Sequence, residues 1–419
     1  MKLLVLVLGS LLSLSLSVGC GSNPKEERPS PDPDGITPEY PGSGGAVQGG
    51  GEADAGGVPA GPKNVIIIGW DGVQRDHIKQ CMDRKIPECP DGLPNLVALG
   101  RGYAKAFVKF DVTTAATCTK PGWTEILTGY NSESLGILDN KQFKAVPAGY
   151  SVLEKVEAHF GKDKTASLFI TGKPAHVDDQ CDTVPQKPWC EVSKNIDFYQ
   201  KDLGENAAVG QKALALLEEY KDREHIIALF HFENPDHMGH QHGENSAEYS
   251  SALVEEDQWL GKILEKLKAQ GKEQETLVYV VTDHGFDEGK TSHNNAPYGF
   301  LVSNDGQILR GGDRKDLVPT ILKRLGVSRE AQGSIPAVHG EALDETPTAC
   351  VKAGEVYYHV ANYPACCAGL TLIGLDKETS TGCLTPTGGT GDMTGYCTRC
   401  GDGVCGKREN PCNCPEDCM

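Results

Sequence analysis

After its first 20 residues, the sequence has no apolar stretch long enough to span a bilayer, because a transmembrane helix needs about 20 mainly apolar residues. Basic side chains are also scarce. The 40 Lys and Arg stand against 58 Asp and Glu, which gives a formal net charge of −18. This balance argues against a nucleic acid duplex as partner, since binding to phosphate backbones depends on Lys and Arg.

Large apolar residues are almost absent between residues 21 and 62, where Gly, Pro, Ser, Asp and Glu dominate. Such a segment cannot bury enough surface to offset the entropy lost on ordering. We therefore predict a flexible linker over residues 21–62.

The first 20 residues predict export. An early Lys, a Leu-rich core and a run of small residues lead to Cys20, as in a secretory signal peptide. The segment Ser17–Cys20 resembles a lipobox, although Ser17 stands where Leu is usual, and a plain signal cleaved near Cys20 is the alternative. Gly21 and Ser22 follow without an aspartate, which resembles the outer-membrane class of Gram-negative lipoproteins. We expect a protein anchored in the bacterial envelope, at the outer membrane, with lipidated Cys20 as its only membrane contact.

Cysteine use agrees with export. The chain has 16 cysteines, and in an oxidising compartment their spacing indicates disulfides. Two pairs are spaced as short loop staples, namely Cys81 with Cys89 and Cys181 with Cys190.

The composition changes again at residue 346, where Cys, Gly and Thr replace alternating apolar runs. We predict a Cys-rich disulfide module over residues 346–419. A zinc ribbon around Cys397 and Cys400 is the alternative. Three acidic side chains in this module are either Ca²⁺ ligands or solvated charges: Asp402, Glu409 and Asp417.

Residues 63–345 read as strands that alternate with helices. The predicted strands are NVIIIG, TASLFI, HIIALFHF, TLVYVV and YGFLVS. The predicted helices are SVLEKVEAHF, NAAVGQKALALLEEY, SALVEEDQWLGKILEKLKAQG and DLVPTILKRLG. This alternation predicts an α/β fold with a mostly parallel central sheet and helices on both faces.

Seven side chains in this domain have the chemistry of a metal site. They are Asp71, Thr119, Asp236, His240, Asp283, His284 and His293. Carboxylate oxygen and neutral imidazole nitrogen suit Zn²⁺. Asp236 and His240 are four residues apart, so they share one face of a helix. Asp283 and His284 end a strand, and both can face one site only if the strand breaks there, which Gly285 allows.

The ordered set resembles the alkaline phosphatase superfamily, in its type I phosphodiesterase/nucleotide pyrophosphatase and sulfatase-like branches. The resemblance covers residues 64–343 and implies an alkaline phosphatase-like fold with two Zn²⁺, or Mn²⁺ or another divalent ion. It implies that one ion is held by Asp71, Thr119, Asp283 and His284. It implies that the other is held by Asp236, His240 and His293.

Thr119 stands at the nucleophile position. Pro121 suits an early helical position, which places Thr119 at a helix N-terminus that favours phosphate. Sulfatases carry Cys-x-Pro-x-Arg here, whereas this chain has Thr119 and Trp123, so formylglycine cannot form. Nucleotide pyrophosphatases have Thr-x-Pro-Asn, and Gly122 replaces that asparagine. Cys118 is predicted to be a buried free thiol, because a lipidated Cys20 leaves an odd number of cysteines.

Several alternatives accompany these assignments. In one alternative, Thr119 only caps its helix. Thr117 and Thr124 are weaker candidates for the nucleophile. His339 is the rival of His293 as last ligand. His237 and His242 are interpreted as solvated.

Lys173, in TGKPAH, resembles the lysine of the sulfatase Gly-Lys-x-His segment, which contacts the substrate oxyanion. It could replace the missing asparagine or arginine. Lys120 and Lys290 compete for this role, and a solvated lysine is the alternative for each.

The resemblance implies hydrolysis of a small-molecule phosphoric ester, either a diester or a monoester. Thr119 would attack phosphorus, and water would then hydrolyse the phosphothreonine. The alternatives are a sulfatase-like hydrolase of sulfate or phosphonate esters, and a non-catalytic surface binding protein on the same fold.

Overall fold

The computed structural model describes residues 61–101, 107–111, 117–296, 298–330, 332–344, 351–358, 366, 370–374, 377–379, 382–384, 393–400, 405–406 and 408–418. The predicted signal peptide, Cys20 and nearly all of the predicted linker lie outside these ranges. Within them, no helix combines the length and apolarity that a membrane crossing requires.

An eight-stranded sheet forms the centre of the fold. Its strands are β1 (Asn64–Trp70), β2 (Phe107–Asp111), β3 (Thr165–Thr171), β4 (Phe198–Gln200), β5 (His225–Phe232), β6 (Thr276–Val281), β7 (Tyr298–Ser303) and β8 (Gly312–Asp313). Their order is β4-β3-β5-β1-β6-β7-β2-β8. Only β7 runs antiparallel to its neighbours in this sheet, so the predicted mostly parallel sheet is confirmed.

Helices cover both faces of the sheet, as predicted. They are α1 (Arg75–Met82), α2 (Pro94–Gly100), α3 (Thr119–Thr128), α4 (Val152–Phe160), α5 (Cys190–Ser193), α6 (Asn206–Glu219), α7 (Asn234–His242), α8 (Ala247–Ala269) and α9 (Leu317–Arg324). On β1, Val65 and Ile67 join a core with α3, α4 and α9. Ile66 and Ile68 join a second core with α1, α2, α6 and α8. Burial on both faces explains the uninterrupted apolar run of this strand.

The central strands position the functional side chains. β1 pairs with β5 on one side and with β6 on the other, all in the same direction. The chain therefore leaves the three strands at one edge of the sheet, immediately before Asp71, α7 and Asp283. Open α/β sheets bind ligands at this carboxyl edge.

The two predicted loop staples are confirmed, because Cys81 bonds to Cys89 and Cys181 bonds to Cys190. The prediction for Cys118 is wrong, since this buried residue takes part in a disulfide. That prediction rested on the parity of the cysteine count, and parity does not identify which cysteine remains unpaired.

The C-terminal region contains short strands and further disulfides. Its strands are β9 (Val356–Tyr358), β10 (Thr371–Ile373), β11 (Lys377–Thr379), β12 (Gly382–Leu384) and β13 (Met393–Thr398). β13 pairs antiparallel with β10 and β9, and β11 pairs with β12. The described disulfides here are Cys366–Cys397, Cys383–Cys412, Cys400–Cys414 and Cys405–Cys418.

These disulfides exclude the zinc-ribbon alternative, because the thiols of Cys397 and Cys400 are both oxidised. Of the three acidic residues considered for Ca²⁺, Asp402 lies outside the described residues. The carboxylate of Glu409 accepts a hydrogen bond from the backbone N–H of Gly406 at 2.7 Å. The Ca²⁺ hypothesis therefore stays a prediction.

Candidate active site

Asp71 and Asp236 approach each other at the carboxyl edge of the sheet. Gly72, which follows Asp71, permits this approach because it has no side chain. Gly72 has a φ of 66°, which favours glycine. A Cβ atom at this position would lie 2.7 Å from Oδ1 of Asp236. The backbone N–H of Gly72 donates to Oδ1 of Asp283 at 3.2 Å, which joins the third carboxylate to the pair.

Helix α7 brings Asp236 and His240 onto one face, as predicted. It begins at Asn234 with Pro235 in its first turn, where a missing N–H is tolerated. Oδ1 of Asp236 lies 3.5 Å from Nε2 of His240. The two side chains can therefore hold one ion.

Asp283 and His284 escape the alternation of a strand, because β6 already ends at Val281. Both residues are fully buried. Nε2 of His284 lies 3.5 Å from Oδ2 of Asp283, and 3.8 Å from Oδ1 of Asp71. The two neighbours thus face one site, as the expected break in the strand requires.

Thr119 is the first residue of α3, with an extended Cys118 before it and Pro121 in the first turn. Its Oγ lies 3.5 Å from Nε2 of His284. The alternative hydroxyls are engaged elsewhere. Thr117 donates to the backbone oxygen of His293, and Thr124 donates to a backbone oxygen of its own helix at 2.7 Å.

Three histidines present Nε2 to the site. In each of them Nδ1 lies next to a backbone carbonyl oxygen, which only accepts, so the proton is on Nδ1 and Nε2 keeps its lone pair. The pairs are His240 with Thr291 at 2.9 Å, His293 with Thr117 at 2.6 Å and His284 with Gly285 at 2.9 Å. Metal-ligating histidines are commonly oriented in this way.

His293, and not His339, joins Asp236 and His240. Nε2 of His293 lies 3.2 Å from Nε2 of His240. His339 instead accepts a hydrogen bond at Nδ1 from the backbone N–H of Asn131 at 3.2 Å, and its ring packs edge-on against Tyr130. The other nearby histidines, His237 and His242, are exposed as expected.

Lys173 enters the centre of this cluster. Its Nζ lies 2.6 Å from Oδ1 of Asp71 and 2.7 Å from Oδ2 of Asp236. It also lies 3.3 Å from Oγ of Thr119. Burial alone would lower the pKa of Lys173, but Asp236 and Asp71 raise it above its usual range.

The rival lysines lie elsewhere. Lys290 is exposed to solvent. Lys120 is buried, and its amine sits over the ring of Phe143, 4.5 Å from the centroid. Burial, with further lowering by Lys187 and Lys173, brings the pKa of Lys120 to about 8.

The electrostatics of the cluster fit divalent cations. Burial would raise the pKa of Asp236, but Lys173 lowers it to about 2. Burial and the neighbouring Asp71 raise the pKa of Asp283 well above its usual range. Burial also lowers the pKa of His284 to about 3 and reduces that of His293, which keeps both rings neutral. The ammonium of Lys173 thus faces the carboxyl groups of Asp71, Asp236 and Asp283, beside neutral histidine rings.

Two buried oxygen atoms complete the test of fit. Oδ1 of Asp236 and Oδ2 of Asp283 have no hydrogen-bond partner within the described residues, and such groups are costly unless something binds them. Ligand atoms of Asp71, Asp236 and His284 lie within 4.8 Å of one another, and so do those of Asp236, His240 and His293. Each group therefore fits a divalent cation, and the two groups share Asp236, which the prediction assigns to the second ion alone, with Asp283 in the first set instead.

Two residues that support Asp71 were not predicted. Oδ2 of Asp71 accepts hydrogen bonds from Nε2 of His231 at 2.8 Å and from Nε1 of Trp123 at 3.1 Å. Nδ1 of His231 in turn accepts from the hydroxyl of Thr171 at 2.9 Å. Burial would raise the pKa of Asp71, but Lys173 and His231 hold it well below its usual range. In the sequence, His231 is marked only as a polar residue that interrupts the apolar run from Ile226 to Phe232.

Gly122 is explained by the packing of α3. A Cβ atom there would lie 2.7 Å from Cβ of Asp283 and 2.9 Å from Nη1 of Arg314. Arg314 is fully buried, pairs with Glu125 at 2.8 Å and donates to the backbone oxygen of Asp283 at 2.7 Å. An asparagine at this position would collide with both neighbours.

Comparison with known proteins agrees with this geometry. The family model described as type I phosphodiesterase/nucleotide pyrophosphatase matches residues 65–360. Ectonucleotide pyrophosphatase/phosphodiesterase family member 1 of Mus musculus is 30% identical over 186 residues, which are 41% of this chain and 19% of that protein. The 2,3-bisphosphoglycerate-independent phosphoglycerate mutase of Wolbachia pipientis is 33% identical over 123 residues, 27% of this chain and 23% of that protein.

Among solved structures, a Bacteroides fragilis protein assigned to the sulfatases shares the fold. The TM-score is 0.50 at 16% identity, and the match covers 75% of this chain and 83% of the other. The chain spans about a fifth of the length of the curated relatives named above. The family match covers well over half of the chain, and it confirms the resemblance inferred from the motifs. The chain belongs to the type I phosphodiesterase/nucleotide pyrophosphatase family.

Proposed function

We propose that this protein hydrolyses small-molecule phosphoric esters, diesters or monoesters, with Thr119 as nucleophile and two zinc ions as cofactors. One observation carries the proposal. The hydroxyl of Thr119 lies at the N-terminus of a helix and faces both Lys173, at 3.3 Å, and His284, at 3.5 Å. A helix N-terminus favours the negative charge of a phosphate.

The donor set favours zinc over calcium, because calcium sites are built from oxygen ligands alone. Mn²⁺ or another divalent ion is the alternative. Asp71, Thr119, Asp283 and His284 would hold one ion. Asp236, His240 and His293 would hold the other. Bound there, the ions would supply a lowered pKa for the Thr119 hydroxyl and charge neutralisation at the attacking and leaving oxygens.

The residues of the chain account for the remaining steps. Oγ of Thr119 forms a bond to phosphorus as the bond to the leaving oxygen breaks. With Asp71 and Asp236 engaged as metal ligands, Lys173 would donate to a non-bridging phosphate oxygen. Water then hydrolyses the phosphothreonine and restores the hydroxyl. The indole of Trp123 fills the place of the sulfatase arginine, which makes sulfate esters the poorer substrates.

A substrate panel tests the proposal. The chain from residue 21 onward, loaded with Zn²⁺, is offered 4-nitrophenyl phosphate, bis(4-nitrophenyl) phosphate, a nucleotide pyrophosphate and 4-nitrophenyl sulfate. We expect turnover of at least one phosphoric ester to exceed that of the sulfate by 100-fold or more, about 3 kcal/mol. Preferential turnover of the sulfate, or no turnover at all, contradicts the proposal.

We also propose that the protein is exported and held at the bacterial outer membrane by a lipidated Cys20. Disulfides such as Cys81–Cys89 support export, because they form in oxidising compartments. Cys20→Ala should release the protein from the membrane fraction. Retention of that variant in the membrane contradicts the anchor.

A further inference from the structure

Lys120 is a buried residue whose amine has no hydrogen-bond or ion-pair partner among the described residues. It follows Thr119 directly, and only 2% of it is exposed. Its backbone N–H donates to Oδ1 of Asn140 at 2.9 Å. Its amine has no hydrogen-bond acceptor and no carboxylate within salt-bridge distance among the described residues, and it rests over the ring of Phe143. Buried lysines are almost always paired, so an unpaired one calls for an explanation.

The carboxylates nearest to Lys120 are engaged by other groups. The amine of Lys187 lies over the same ring, 5.2 Å from the centroid, and pairs with Asp178 at 3.5 Å. Oδ1 of Asp139 is engaged by two backbone N–H groups, both at 2.6 Å. Neither carboxylate lies within salt-bridge distance of the Lys120 amine, so within the described residues this amine lacks a direct ion-pair partner.

Lys120 borders the candidate active site, because it is the second residue of α3, directly after Thr119. Burial, and then the charges of Lys120 and Lys173, lower the pKa of the nearby His176 to about 3. His176 adopts a φ of 73°, a left-handed conformation that is uncommon for a non-glycine residue. Its ring has no hydrogen-bond partner within the described residues.

We propose that Lys120, with Lys187 and the ring of Phe143, binds a second anionic group of the substrate, beside the phosphate that Thr119 attacks. This inference rests on the proposed function and narrows its substrates to esters that carry a further phosphate, phosphonate or carboxylate. An anion at Lys120 supplies the missing hydrogen-bond acceptor, and charge-assisted hydrogen bonds of this kind are strong.

The kinetic test uses 4-nitrophenyl diesters that differ only in the group retained on phosphorus: ethyl, carboxyethyl or phosphonoethyl. In wild type, kcat/KM for one anionic ester should exceed that for the ethyl ester at least tenfold. The anionic ester with the higher kcat/KM shows whether the subsite prefers a carboxylate or a phosphonate. Lys120→Met should reduce this ratio at least fivefold, mainly through KM, and Lys187→Met should reduce it less.

Lys141→Met is the matched control, because Lys141 lies exposed on the same loop, and it should keep the wild-type ratio. The subsite is overturned if Lys120→Met leaves this ratio unchanged. It is also overturned if wild type has the same kcat/KM for all three esters. Thermal unfolding of each variant identifies loss of fold. Lys120→Arg keeps the charge and should retain most of the preference.

A binding measurement keeps the subsite testable if catalysis fails. Calorimetry compares 3-phosphonopropionate with propylphosphonate on the Zn²⁺-loaded wild type and on Lys120→Met. If wild type binds 3-phosphonopropionate, which carries the additional carboxylate, more tightly than propylphosphonate, and Lys120→Met abolishes this difference, the subsite is supported. This holds even when no ester is hydrolysed, an outcome that removes only the proposed function. Equal affinities of the two probes for wild type contradict the subsite.

Discussion

The Nε2 atoms of His240 and His293 lie 3.2 Å apart. Each Nδ1 donates to a backbone oxygen, so both facing nitrogens carry lone pairs. Two lone pairs at this distance repel each other unless a cation lies between them, and Oδ1 of Asp236 offers a third donor. The pair is the strongest structural argument for a metal at this site.

Removal of metal should abolish turnover. The mixed Asp and His set suits Zn²⁺, so dialysis against a chelator followed by Zn²⁺ should restore activity, with Mn²⁺ partly effective. Ca²⁺ alone should not restore it, since calcium takes oxygen ligands. The measurement is ester hydrolysis with parallel metal analysis. Full recovery with Ca²⁺ and none with Zn²⁺ would show that zinc is the wrong ion.

His293→Ala should lose one bound ion of two, because the side chain provides one of three donors around Asp236 and His240. His339→Ala should retain both, since its ring contacts Asn131 and Tyr130 instead. Metal counting on the two purified variants decides the matter. Loss of an ion only in the His339 variant would reverse the assignment.

Trp123→Phe removes one of the two donors that fix Oδ2 of Asp71. We expect Zn²⁺ affinity to fall about 10- to 100-fold, as is usual when a partner that orients a ligand is lost. Trp70→Phe is the matched control, because Nε1 of Trp70 has no hydrogen-bond partner in the described part of the chain. Competition with a chelating dye measures the Zn²⁺ affinity of both variants. Equal affinities in the two variants would remove this role for the indole.

Glu256→Gln should stabilise the protein at neutral pH. Glu256 is fully buried on α8, and neither carboxyl oxygen has a hydrogen-bond partner within the described residues. Burial, together with Glu255, raises its pKa well above the usual 4.5. Above that usual value the unfolded chain ionises while the folded chain keeps the proton, so this group costs stability progressively as the pH rises.

The cost accumulates at up to about 1.4 kcal/mol per pH unit until the folded pKa is reached. Denaturant unfolding at pH 4 and pH 8 should therefore show a gain for Glu256→Gln of at least about 1 kcal/mol at the higher pH only. The exposed Glu219→Gln should show no such difference. A gain that is equal at both pH values would disprove the linkage.

The sequence was sufficient to predict that candidate ligands which follow apolar strands or share a helical spacing come close together. Asp71 and the Asp236–His240 pair belong to this group, and the structure brings them together with the others. His231 was missed because a single histidine inside a strand has no spacing to mark it. Arg314 was missed because its partner, Glu125, lies 189 residues away along the chain. Such contacts depend on the tertiary fold, and local patterns do not encode them.

Short strands were missed for a related reason. β8 has two residues and β4 has three, too few for any period to be visible. β2 pairs with β7 and β8, so its identity as a strand depends on neighbours that are distant in the chain.

The most direct test of the account is the site of phosphoryl attachment. The Zn²⁺-loaded chain is mixed with an aryl phosphate ester at low pH, quenched in acid within milliseconds and mapped by peptide mass spectrometry. The account predicts phosphate on Thr119 in wild type, and in Thr119→Ala no phosphopeptide, almost no turnover and an unchanged fold with both metals bound. Phosphate on another residue, or near-normal turnover by Thr119→Ala, would contradict it.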